Sequence, residues 1–382
     1  MERVQNINPA RIRWCCEDRG VTPEQLASDL DISFVSLTKV LEGRDGLTFN
    51  QLQKIASFFG RGVLFFLDDS PVDERQVHSP QFRTLANQKL AISPKTKTLI
   101  ERAEKQRAVY LSLLEDLDAE DEISFHPPAI DQLDPASAAQ VIRDWLDLDE
   151  TNNFESYRSA VESRGVLVFR TNGYAGKWQL AKEDSIFGFS LYDERCPLIV
   201  VKKLDAEVRQ SFTLFHELGH LLLHRTSSID EEIDLFSHSG QEREANEFAG
   251  HLLVPPKFLK KIDDEERPAD VSEFDSWLEN CRKAWGVSSE VILLRLIDSK
   301  RLTRGHYQAY RAWRDNQKHE VKGGGNRAFR HREPRHMFGD GYVKTVLDAL
   351  GNRHITLTKA SSYLDGLRIQ DLHRLEAFYA SH

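Results

Sequence analysis

The sequence predicts a mostly helical α+β protein with one small sheet. Three observations carry that prediction. Apolar residues recur at three- and four-residue spacing in most segments of the 382-residue chain, the signature of helices with one buried face. Three short β-branched and aromatic runs, at 166–170, 186–193 and 197–202, have strand length and are confined to the middle of the chain. Composition is that of a soluble globular protein, with 40% hydrophobic and 29% charged residues. The formal net charge of −9 gives no electrostatic reason for the whole chain to bind nucleic acid tightly and non-specifically. No apolar run reaches the roughly 18 residues of a membrane span, and the opening residues lack the apolar core of a signal peptide. Cys15, Cys16, Cys196 and Cys281 form no ligand spacing, so reduced thiols and a cytoplasmic location are expected.

Residues 1–70 read as a compact helical domain. Helical patterns fall at 9–19, 23–29, 34–42 and 49–59, with Gly20, Gly43 and Gly60 as punctuation. The stretch 25–43, QLASDLDISFVSLTKVLEG, resembles the helix-turn-helix of Cro/C1-type (XRE) repressors: Leu26, Ala27 and Leu30 on the first helix, Ile32 and Ser33 in the turn, Leu37 on the recognition helix. In such folds the recognition helix places polar and basic side chains on base edges. Here the exposed positions offer Ser33, Phe34, Ser36, Thr38 and Lys39, a poor set for base readout, and Leu41 stands where that family commonly has glutamate. DNA contact through residues 20–45 and a module for protein contact or dimerisation are both open.

Residues 62–67 (GVLFFL) close that domain, and 68–93, with Pro71 and Pro80, read as a linker. A long helix is expected over 94–118, an acidic surface connection with Pro127-Pro128 over 116–134, and a further helix over 136–148. A helix from Glu155 to about Arg164 leads through Gly165 into the three strand candidates. Strands of this kind can accept a peptide at an exposed edge in extended form.

The stretch 211–225, SFTLFHELGHLLLHR, contains His216-Glu217-Leu218-Gly219-His220, an H-E-x-x-H pattern inside an apolar run. At about 3.6 residues per turn, two histidines four apart stack on one helix face. They can share one Zn²⁺, and Glu217, a step round the helix, then faces water held beside it. Phe212, Leu214, Phe215, Leu218 and Leu221–Leu223 surround the motif almost completely, so these polar groups are costly unless they bind something. A third ligand is still required. Residues 241–256, QEREANEFAGHLLVPP, supply a second amphipathic helix with Glu242 and Asn246 one turn apart, and with Ala245 and Ala249 small enough for close helix approach. Glu242 is assigned as the third metal ligand and Asn246 as the partner of a histidine's other nitrogen. Glu244, about 200° round the helix, competes for the role. His224 and His251 are further alternatives, His224 reading rather as a polar residue at a helix end.

Together, FGFSLYDERCPLIVV, RQSFTLFHELGHLLLH and EREANEFAGHLLVP resemble, in order and spacing, the ImmA/IrrE family of zinc metallo-endopeptidases. The resemblance covers residues 150–300, including WGVSSEVILLRLIDSKRL at 285–302. It implies a zincin-like fold with a small sheet, Zn²⁺ as cofactor, His216 and His220 as ligands and Glu217 as base. The E-x-x-x-N spacing of Glu242 and Asn246 is similar to the E-x-x-x-D pattern of glutamate zincins, which favours Glu242. Lys202 departs from the asparagine that many relatives have at the strand end. The implied substrate is a protein regulator, plausibly a Cro/C1-type repressor, in a toxin-antitoxin-like or stress-response operon. The alternative is a DNA-binding regulator or antitoxin-like binding protein with a structural or vestigial metal site.

The acidic stretch 230–234 (DEEID) reads as a solvated loop, with a lid over the site as the functional alternative. Residues 318–336 carry GGG and a cluster of Lys322, Arg327, Arg330, Arg332 and Arg335, the pattern of a flexible basic linker. The expected division is a helix-turn-helix domain at 1–70, linker and helical connector at 71–150, metallopeptidase domain at 151–305, polar linker at 306–340 and a helical segment at 341–382. The last would pack or dimerise through its apolar faces, so a homo-oligomer is among the expected partners; a membrane is not.

Overall fold

A computed structural model describes residues 3–72, 92–119, 125–172, 177–180, 185–204, 206–231, 240–317 and 327–381. It is mostly helical with one four-stranded sheet, an α+β fold. Among the described residues no helix is long and apolar enough to cross a membrane. The expected linker at 68–93 lies largely outside the described residues. The chain divides into two compact units, Met1–Arg102 with Leu180–Asp184, and Ala103–Gln179 with Ser185–His382.

The first unit holds α1 (Pro9–Arg19), α2 (Pro23–Asp29), α3 (Phe34–Leu41), α4 (Phe49–Phe58) and a 3₁₀ turn at Val63–Phe66. Each start is written locally. Thr22 and Thr48 form capping boxes with Gln25 and Gln51, and Asn8 caps α1 ahead of Pro9. Gly20, at φ 62°, takes the left-handed position that ends α1. Ile12, Leu26, Leu37, Leu52, Ile55 and Phe66 fill the core. Helix α5 (Pro94–Asp116) begins in this unit, where Glu101 receives both Arg19 and Arg61.

The second unit is organised by its sheet, in the order β1 (Leu167–Arg170), β3 (Leu198–Val201), β2 (Ile186–Leu191), β4 (Ser228–Glu231). β1 runs parallel to β3; β2 is antiparallel to both β3 and β4. The fourth strand was not foreseen: it takes Asp230 and Glu231 out of the expected acidic loop, and residues 232–234 of that loop lie outside the described residues. Helices α6 (Pro135–Trp145) and α7 (Phe154–Glu162) precede the sheet. Helix α8 (Glu207–Gly219) lies against β2 and β3, and its far side packs on α9 (Gly240–Leu253). Phe215, Leu218, Phe248 and Leu252 of these helices are buried in one hydrophobic cluster. A Cβ on Gly219 would sit 3.1 Å from Phe248 Cδ1 and 3.3 Å from Ala245 Cα, so glycine facing alanine lets the helices meet closely. Helices α10 (Ser289–Asp298) and α11 (Arg304–Asp315) follow, α10 in contact with α9.

The stretch 306–340, expected as a polar linker, is helical at both described ends. It includes most of α11, a 3₁₀ helix at Arg327–Arg332 and the start of α12 (Glu333–Gly351). The reason is two buried arginines that no local pattern announces. Arg158 donates to the carbonyls of Arg335, His336 and Met337, and Arg170 to that of His336. Phe338 and Tyr342 then pack on Phe169 beside β1. Helices α13 (Leu357–Tyr363) and α14 (Ile369–Ala380) follow.

At the kink in α12, Gly339 has φ 82°, and a Cβ there would overlap the Glu162 carboxylate. Glu162 pairs with Arg158 at 3.0 Å, yet burial pushes its carboxyl up from 4.5 to about 7. The folded state therefore holds a proton that the unfolded chain has released between those values. Its contribution to stability is full below pH 4.5 and lost as pH rises through about 7. Glu162→Gln should flatten this part of a urea-stability profile, by on the order of 1–3 kcal/mol between pH 4.5 and 7.5. An unchanged slope would show that Glu162 does not carry it.

Candidate metal centre

Helix α8 brings the H-E-x-x-H residues to the contact with β2, β4 and α9, where His216 and Glu217 are fully buried and His220 is 2% exposed. Beyond Gly219 the helix widens into a π turn at His220–His224 and stops at Arg225, whose φ of 51° is left-handed. Such a turn is an uncommon element found disproportionately at functional sites.

Three donor atoms from two helices converge. His216 Nε2 and His220 Nε2 lie 3.1 Å apart, and Glu242 Oε2 is 3.3 Å from the first and 3.4 Å from the second. Among the described residues these side chains form a group able to hold a metal ion. The spacing tests the fit directly. A tetrahedral ion with ligand bonds of about 2.0–2.1 Å requires donors about 3.3 Å apart. Two imidazole nitrogens and one carboxylate oxygen are also the donor chemistry of a catalytic zinc site, which leaves one position open. The group fits these residues.

Of the competing ligands, Glu244 lies elsewhere: its Oε2 is 3.0 Å from His224 Nε2. His251 has Arg295, Asp298 and Asp134 as charged neighbours, and burial first, then Arg295, depresses it to about 4. The expected role of Asn246 is corrected. His220 Nδ1 faces His224 Nδ1 at 3.1 Å instead, and His216 Nδ1 is buried with no hydrogen-bond partner among the described residues. His224 follows His220 by four residues, so the two rings share one face of the helical turn.

Two further groups went unread in the sequence. Asp230 of β4 is fully buried with Oδ1 3.7 Å from His216 Nε2, a placement that depends on a strand following the helix rather than preceding it. Ser190 of β2 is the polar neighbour of Glu217. Gly188 supplies room: a Cβ there would fall 2.6 Å from Thr213 Cγ2, 3.0 Å from Val200 O and 3.4 Å from Glu217 Oε1. A helix–strand contact this tight has no slack, so Gly188→Ala should cost about 1–3 kcal/mol in urea unfolding. A loss within experimental error would mean that α8 can retreat freely.

Electrostatics follow from burial. Desolvation and then Asp230 raise the Glu217 carboxyl well above the ordinary glutamate range. Burial opposes the cationic form of His216, but Asp230, Glu242 and Glu217 outweigh it and lift the ring to about 9. His220 is lowered, chiefly by burial. Burial would raise Glu242, yet hydrogen bonds from both rings hold it well below the usual carboxylate range. Asp230 and Glu242 thus set negative potential against the paired imidazoles, an arrangement that draws in a proton or a divalent cation. Metal binding would displace that proton.

Residues 162–296 match the family model described as the IrrE N-terminal-like domain, a peptidase family. The matched region runs from the end of α7 into α10 and contains the whole sheet and all three donors. It supports a metallopeptidase-like function for the second unit. No curated protein matches the chain.

Proposed function

We propose that the protein is a zinc-dependent endopeptidase acting on a protein regulator, with His216, His220 and Glu242 as metal ligands and Glu217 as catalytic base. One observation carries the reading: three donors at tetrahedral spacing beside a fully buried glutamate. When bound, a zinc ion supplies Lewis acidity, polarising a peptide carbonyl and acidifying water. The chain's own residues do the rest. Glu217 takes a proton from the attacking water and returns it to the leaving amine. Asp230, buried nearby, opposes a second negative charge and so favours the protonated form that delivers the proton. β4 ends the sheet order next to the donors, so an extended peptide added to its outer edge would pass the site. The strands expected to offer that edge precede α8; the one beside the donors follows it.

The proposed substrate is a Cro/C1-type repressor, on the strength of the family resemblance. In the first unit, the α2–turn–α3 arrangement, with Asp31 left-handed at φ 53°, supports a helix-turn-helix reading of residues 20–45. Its exposed side chains favour protein contact over base readout: Phe34 is 43% and Val35 65% exposed, and Thr38 Oγ1 donates to its own helix at Phe34 O. Incubating the protein with a repressor encoded beside it, and following cleavage by mass spectrometry, tests the peptidase. A mobility-shift titration on the upstream DNA at several salt concentrations tests DNA contact. Intact repressor in the presence of stoichiometric zinc would defeat the substrate assignment, and a steep salt-dependent shift would restore base or phosphate contact to the N-terminal unit.

A further inference from the structure

A histidine ligand is only as well placed as the hydrogen bond on its other nitrogen. For His220 that bond leads outward through two more side chains. His220 Nδ1 lies 3.1 Å from His224 Nδ1, the rings being 5.1 Å apart at 55°, and His224 Nε2 lies 3.0 Å from Glu244 Oε2. The donor and acceptor roles are fixed by chemistry once Nε2 of His220 is turned to the metal position. Its lone pair is committed there, so the ring's proton is on Nδ1 and is donated to His224 Nδ1. His224 then accepts at Nδ1 and carries its own proton on Nε2, which points at an acceptor that can only accept, the Glu244 carboxylate. No other proton distribution among neutral rings satisfies all three groups.

We infer that His224 and Glu244 are positioning residues for the metal ligand His220, forming a His220–His224–Glu244 chain that fixes its tautomer and raises its basicity. The inference rests on the metal-centre reading above. Burial is graded in the way such a chain requires. The His220 side chain is 2% exposed, His224 5% and Glu244 54%, so the terminal carboxylate keeps its hydration while the two rings are shielded. His220 and His224 stand four residues apart on the π turn, side by side on one face. Neither residue supplies a donor atom to the cluster; His224 acts on His220, and Glu244 acts through His224.

The test uses the full-length protein stripped by a chelator, with Zn²⁺ as the probe and affinity read by competition with a chromophoric chelator. His224→Phe should bind Zn²⁺ about 10–100-fold more weakly than wild type. His224→Asn, whose side-chain oxygen can accept from His220 Nδ1–H, should recover most of that loss. Glu244→Gln, at an exposed position that leaves folding intact, should weaken binding by a smaller factor of about 3–10. In the zinc-loaded wild type, long-range ¹H–¹⁵N spectra should place protons on His220 Nδ1 and His224 Nε2. Wild-type affinity in His224→Phe overturns the inference, as does His224→Asn binding as weakly as the phenylalanine variant, or a proton on His224 Nδ1. His216→Ala separates the two readings. If it too binds like wild type, the metal centre itself is misassigned and the chain falls with it. If it loses zinc while His224→Phe does not, only the chain falls.

Discussion

Glu217→Gln should retain zinc and lose peptide hydrolysis by about 10²–10⁴-fold, the usual contribution of a positioned general acid–base. The substitution changes very little else. Glutamine is isosteric and neutral, and Glu217 is a buried group whose charged form is already opposed by desolvation and by Asp230. Stability should therefore change little, because burial already favours the neutral carboxyl that glutamine mimics. What is lost is the capacity to accept a proton at one place and deliver it at another. The measurement is a progress curve on a protein substrate at equal, analytically determined metal content. Equal rates for the two proteins would remove Glu217 from the chemistry and leave the buried H-E-x-x-H helix without a catalytic explanation.

The second large effect concerns the ligands. His216→Ala and Glu242→Ala should each reduce zinc content from about one per chain to near background after dialysis, since the remaining pair of donors cannot hold a tetrahedral ion. The two failures should differ in their consequences for folding. Glu242 lies at the cluster's solvent side, 29% exposed, and its loss leaves both rings in place. His216 is fully enclosed, so alanine leaves both a void and carboxylates with no cation to balance them. Thermal unfolding gives a second reading. At a free zinc concentration 100 times Kd, wild type should gain about 2.7 kcal/mol and neither variant should gain measurably. Zinc-dependent stabilisation that survives in Glu242→Ala would transfer the third ligand to another residue.

How much of this was legible beforehand depends on the range of each interaction. The N-terminal helices carry their own caps: Pro9, Thr22 with Gln25, and Thr48 with Gln51 are local signals, and the helices begin where those residues predict. The three early strands were visible as short buried β-branched runs, and all of their residues are buried. β4 was not visible, because SIDE has neither β-branched enrichment nor alternation; it becomes a strand only by pairing with β2. The C-terminal docking was illegible for a related reason. The carbonyls that Arg158 and Arg170 collect are backbone groups about 170 residues away along the chain, and backbone atoms leave no trace in side-chain patterning.

The amino-acid sequence by itself determined the helical class of this protein and the pairing of His216 with His220, because helical periodicity places residues four apart on one face whatever surrounds them. It also supplied Glu242 and Glu244 as rival third donors. Tertiary structure alone brings Glu242 rather than Glu244 to the two ring nitrogens, since that depends on how α9 packs on α8, where Gly219 meets Ala245. It alone placed Asp230 beside His216 and set Glu244 against His224. Periodicity fixes relations within one element; packing between elements fixes the rest, and a site assembled from two helices and a strand belongs mostly to the second kind.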